Sequence, residues 1–163
     1  MIFASFHFDF SLSNYTNDVN DYKKALRMYH YTFNKEISFF PPEITDDMTD
    51  VIFYQCRGGF TYYTSKITLY YKTTNEELEK TLKKLSPLAK YEVLGRITSD
   101  EYRLPYLDSN SIPNNFYLSG FSYLIFDSKP IGNNGWDSGN ETYGIAYSEK
   151  ASAILFFLVY SSY

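Results

Sequence analysis

Two histidines, one cysteine and two short acidic runs are all that this 163-residue chain offers for chemistry near neutral pH. His7 and Asp9 lie two apart in Phe6-His7-Phe8-Asp9-Phe10, so on a strand they point the same way, as an oriented imidazole for acid–base work requires. A triad also needs a nucleophile on a sharp turn, and the chain has no Gly-x-Ser-x-Gly elbow. His30 falls late in a helical stretch, where the helix dipole favours a surface imidazole. Cys56 precedes Arg57, which could stabilise a thiolate, although a free cysteine is usually a small buried hydrophobe. Catalytic residues are therefore expected to be none, and the pair that would overturn this is His7 with Asp9.

The acidic groups Asp46, Asp47 and Asp50, and the set Asp137, Asn140 and Glu141, lack the ligand spacing of a Ca²⁺ loop, and no cluster of histidines accompanies them. No metal and no cofactor is expected. Nothing matches a phosphate-binding or dinucleotide-binding glycine loop, and Arg57-Gly58-Gly59 reads as a turn. What remains is contact chemistry. Trp136 in a Gly/Asn-rich loop could stack on a sugar, anchor a protein partner, or fold back as a plug over the sheet edge. With Asp137, Glu141, Asp46, Asp47, Asp50, Tyr102 and Tyr106 it makes the set expected to touch a partner.

The elements that carry these residues are legible from their periods. Residues 2–10 alternate as a half-buried strand. Asn17 or Asp18 caps a helix in which Val19, Tyr22, Leu26, Tyr29 and Phe33 recur at three and four. Phe39-Phe40-Pro41-Pro42 ends that unit and leads to the acidic loop 43–50. Residues 51–56 and 60–65 read as a hairpin, followed by a strand through Ile67, Leu69 and Tyr71. Thr74 and Glu77 form a capping box for a helix whose stripe is Leu78, Leu82 and Leu85, and Pro87 limits it. Strands follow at 91–97, 116–126, 143–147 and 153–160, with long polar connections at 99–115 and 128–142. The run Ala153-Ile-Leu-Phe-Phe-Leu-Val-Tyr160 is the most apolar in the chain and belongs near the middle of a sheet, buried on both faces. These elements make one α+β domain over residues 1–163, a mostly antiparallel or mixed sheet of about seven strands with two helices on one face.

Composition bounds the partner. The net charge is −4, with 15 basic and 19 acidic residues, and the basic groups gather on one helix, which is poor for general nucleic-acid binding. A basic protein is the better counterpart. The 18 Tyr and 14 Phe are expected partly in the core and partly, for the tyrosines, at the boundary with solvent, where their hydroxyls find water. The apolar beginning of the chain has no basic residue ahead of it and is interrupted by Asp9, so it does not read as a signal peptide. One cysteine excludes an internal disulfide. A cytoplasmic location and no membrane association are expected.

In size, acidic tyrosine-rich character and the closing hairpin from Tyr143-Gly-Ile-Ala-Tyr147 to Ile154–Tyr160, the chain resembles the immunity proteins of bacterial toxin systems, including contact-dependent inhibition. That resemblance implies a non-catalytic inhibitor that covers one cognate toxin, expected to be a basic nuclease. The alternatives are a carbohydrate or small-ligand module using Trp136, and a phage or mobile-element inhibitor. A pocket lined by rings, in place of a flat patch, distinguishes the ligand module.

Overall fold

The computed structural model describes residues 15–33, 37–56, 64–94, 121–131 and 139–162. Seven strands form one open antiparallel sheet: β1 (Tyr15–Thr16), β2 (Thr49–Cys56), β3 (Thr64–Lys72), β4 (Tyr91–Leu94), β5 (Ser122–Ile131), β6 (Gly139–Ser148) and β7 (Ala153–Ser162). Their spatial order is β1-β2-β3-β7-β6-β5-β4. The apolar run thus takes the central place. From Ala153 to Val159 every residue of β7 is at most 1% exposed, which a strand with a polar face could not tolerate.

Two α-helices, α1 (Tyr22–Phe33) and α2 (Asn75–Leu85), complete an α+β fold. Both pack on the same face of the sheet. Tyr22, Ala25, Leu26 and Tyr29 of α1, with Leu78 and Leu85 of α2, share one core cluster with Phe53, Ile67, Leu69, Phe156 and Leu158. The alternate residues of the strands, among them Tyr70, Ile125, Leu155, Phe157 and Val159, form a second cluster on the opposite face. Period two along each strand therefore divides the apolar residues between two layers.

Helix starts follow the sequence signals. Asp18 caps a 3₁₀ turn at Val19–Asp21 that leads into α1, and its side chain accepts from the Asn20 amide. Val19 belongs to that turn and is 42% exposed, so it is not part of the buried stripe expected of it. Thr74 caps α2, its hydroxyl accepting from the Glu77 amide at 3.2 Å. After Leu85 the chain tightens into a 3₁₀ turn at Ser86–Leu88, in which Pro87 sits.

Residues 60–63, 95–97 and 116–120 of the expected strands lie outside the described residues. The strand paired with β2 is β3, which takes in Thr64 and Ser65 together with the strand through Ile67, Leu69 and Tyr71, and pairs Phe53 with Leu69 and Cys56 with Lys66. β5 runs past its expected end at Phe126 to Ile131, where it pairs with Gly139 of β6. The polar residues Asp127 and Ser128 are carried in the ladder after a bulge, with Asp127 held by Lys90 at 2.9 Å. β4 is four residues long and lies at the far edge, so α2 carries the chain from β3 across β7, β6 and β5. By the parity of the antiparallel steps, β3 and β4 run in the same direction.

The turn between β6 and β7 also fixes α2. Ser152, at φ 47°, donates its hydroxyl to the Asn75 side chain at 2.6 Å, and its carbonyl accepts from the Thr73 amide at 2.9 Å. The first turn of α2 is thereby tied to the central hairpin. Among the described residues no helix is long and apolar enough to cross a membrane.

Candidate functional site

Phe39 and Phe40 sit on a connection, and two phenylalanines on a loop need somewhere to go. They turn inward and pack against the centre of the sheet: Phe39 and Phe40 are 7% and 4% exposed. Phe40 lies 5.7 Å from Phe156 between ring centroids, and Phe39 lies 5.1 Å from Phe126 in an edge-to-face contact. Tyr71 stacks on Phe156 at 6.0 Å with 13° between the planes. This places the loop 37–48 beside α2, with a gap between them.

The gap is an open cleft of about 920 Å³. Its floor is Phe39, Phe40, Tyr71 and Phe156, one wall is α2 at Glu77, Thr81 and Lys84, and the other is the loop with Asp47 and Met48. Clefts that take ligands fall in this range of size, and here the apolar lining is interrupted by Ser38, Thr45, Thr73 and Thr81 besides the charged groups. Two carboxylates from separate elements line it, Asp47 from the loop and Glu77 from α2.

Burial first, and then these two negative charges, push the Tyr71 hydroxyl well above the ordinary tyrosine value of 10.0. Tyr22 is raised in the same direction by burial and by Tyr71, while its hydroxyl donates to the Pro41 carbonyl at 2.6 Å and so holds the loop against α1. A raised acid keeps its proton in the native state while the unfolded chain releases it, so stability is complete below pH 10 and declines above it. Denaturant midpoints are expected to fall with pH above 10, and Tyr71→Phe is expected to make that fall shallower. A midpoint that stayed level above pH 10 would contradict the burial of both hydroxyls.

Four of the expected contact residues fall among the described ones. Asp46 and Asp47 are exposed on the loop, and Asp47 lines the cleft. Asp50 is the second residue of β2, at φ 51°, a left-handed conformation that aspartate tolerates, and pairs with Lys72 at 2.7 Å. The Asp50 partner raises the Lys72 ammonium. Glu141 is half-buried in β6, opposite Tyr160. It lies seven residues along the strand from Ser148, which is at the cleft end of the sheet, a distance of about 23 Å. Glu141 therefore cannot share a small contact surface with Asp46 and Asp47. Trp136, Asp137, Tyr102 and Tyr106, and also His7 and Asp9, lie outside the described residues.

Among the described residues, Tyr22, Tyr29, Tyr54, Tyr70, Tyr71 and Tyr123 are buried, Tyr143, Tyr147 and Tyr160 are half-buried, and Tyr15 and Tyr91 are exposed at 44% and 46%. The buried rings still find partners: Tyr29 donates to the Cys56 carbonyl at 3.0 Å. Cys56 itself is half-buried at the end of β2, directly across from Lys66. Lys66 is only 4% exposed, its ammonium 4.7 Å from the Tyr54 ring centroid. Among the described residues no three His, Cys, Asp or Glu side chains converge as a metal site.

Glu77, Tyr71 and Phe156 carry no sign in the sequence of lining a cleft, because the helix dipole accounts for the glutamate and the core for the two rings. The one local clue was Phe39-Phe40 beside an acidic run, an apolar pair that a solvated loop has no use for. Comparisons with protein-family models, with curated proteins and with solved structures found no match to this chain.

Proposed function

We propose that the chain is a non-catalytic inhibitor that binds and covers a basic protein, a toxin domain of nuclease type, as the immunity proteins of bacterial toxin systems do. The observation that carries this reading is that Asp47 of the loop and Glu77 of α2 both line an aromatic cleft, with the exposed Asp46 and Glu76 next to them in the chain. Carboxylates from two elements at one rim give a negative field that steers a cationic surface into contact, and the rings beneath supply apolar area for the bound state. A nuclease presents such a cationic surface to phosphate. The inhibitor would act in the cytoplasm of the producing cell.

The test is association with the toxin domain encoded by the adjacent reading frame. The wild-type chain is expected to form a stable complex and to rescue growth. Asp46→Lys with Glu76→Lys, both exposed positions, is expected to weaken association about tenfold or more and mainly through slower encounter. Failure of the wild-type chain to bind or rescue rejects the assignment.

A second reading is a small-ligand or carbohydrate module, and the ring floor of the cleft favours it. Binding of a neutral glycan, detected as a change in tyrosine and tryptophan fluorescence across a panel, would select it over the inhibitor.

A further inference from the structure

We infer that the cleft between the 37–48 loop and α2 receives an arginine side chain of the protein partner. This rests on the inhibitor reading for the identity of the partner, and it adds the group that partner must present.

The cleft has the three features that a guanidinium on an alkyl stem uses. Its floor carries ring faces, Tyr71 stacked on Phe156 at 6.0 Å and Phe40 tilted 38° against the same ring. Planar guanidinium groups stack on such faces and are drawn to their negative quadrupole. Asp47 and Glu77, thirty residues apart in the chain, both line the cleft, one from the loop and one from α2, and a forked donor can bond carboxylates from the two walls. Its walls carry Leu26, Met48 and Leu85, which can cover the methylenes of the stem.

The other charges facing the cleft sharpen the choice. Asp47 makes no ion pair among the described residues. Glu77 is bridged by Lys80 at 3.1 Å, a contact whose lysine side chain is 74% exposed and therefore easily given up. Lys84 also lines the cleft, but it is seven residues along α2 from Glu77, about 10 Å away at the other end. The first turn of α2 brings a positive dipole end, offset by Glu76 and Glu77 themselves. A cation thus has one preferred end of the cleft, beside Asp47. At about 920 Å³ there is room for the arginine with the residues on either side of it, as a protruding loop of a partner would bring them.

The experiment uses the full chain with three small probes, the Nα-acetylated arginine amide, lysine amide and neutral isostere citrulline amide, followed by amide and methyl NMR shifts. Arginine amide is expected to bind with a Kd on the order of 1 mM, shifting Met48, Tyr71 and Thr81, with lysine amide about tenfold weaker and citrulline amide without effect. The double variant Asp47→Asn, Glu77→Gln is expected to keep its melting temperature and lose the arginine shifts. Equal shifts with citrulline amide, shifts confined to other residues, or shifts unchanged in the double variant would each overturn the proposal. The toxin complex separates the two levels. If the double variant binds the toxin domain as tightly as wild type, the arginine pocket is wrong while the inhibitor reading stands. If arginine amide binds here but no toxin domain does, the pocket stands and the inhibitor reading fails.

Discussion

Phe156→Ala is expected to lower the free energy of unfolding by about 4 kcal/mol, a large part of what a domain of this size has to lose. The ring is 1% exposed on the helix-side face of the central strand. It is the common neighbour of Tyr71, Phe40 and Phe39, at centroid distances of 6.0, 5.7 and 6.5 Å. Removing it leaves a cavity that β7 cannot close, because Ile145 on β6 and Leu69 on β3 are fixed beside it by the ladder. The loop would lose the surface on which its two phenylalanines rest, so the cleft should loosen along with the core. Guanidinium titration at neutral pH measures this: the midpoint should fall with an unchanged slope. Phe156→Leu, which conserves most of the volume, should cost less than about 1.5 kcal/mol. A loss below about 1 kcal/mol for the alanine variant would mean that the loop and α2 do not depend on this ring.

Gly144→Ala is the second large effect, and its cause is backbone. A Cβ at this position would meet the Leu124 carbonyl oxygen and, at 3.1 Å, the Ile125 Cα of β5. Neither is the end of a side chain that can rotate away. Gly144 pairs with Ile125 immediately before the bulge at Phe126, and with Phe157 on its other side, so the strands are drawn close where the ladder changes register. Forcing a methyl between them is expected to cost about 3 kcal/mol. For a domain of this length that corresponds to a fall in melting temperature of about 6–12 °C. A change of no more than about 2 °C would show that β5 can shift to make room.

The two variants mark where sequence reading succeeds and where it stops. Eight uncharged residues from Ala153 are enough to specify a strand buried on both faces, and the sheet places it fourth of seven. Thr74 with Glu77 and the Leu78, Leu82, Leu85 stripe are enough to specify α2, since capping and amphipathic spacing are local properties. Gly144 inside Tyr143-Gly-Ile-Ala-Tyr147 gave no sign of close approach, because the obstruction is the backbone of another strand. The same reason hides the cleft. Its acidic loop is visible as Asp46, Asp47 and Asp50, but its second carboxylate and its floor arrive from α2, β3 and β7, and only the tertiary arrangement joins them. Nor does the sequence show how far Glu141 lies from that loop, since the length of β6 separates them.

The proposed function requires a cationic protein surface to dock at the acidic rim of this cleft. Titration calorimetry of the chain with the toxin domain encoded beside it, at low and at high salt, reads that docking. A one-to-one complex is expected that weakens as salt rises and that Asp46→Lys with Glu76→Lys disrupts without changing the melting temperature. A complex of undiminished affinity in that variant, or no complex at all with the wild-type chain, would contradict it.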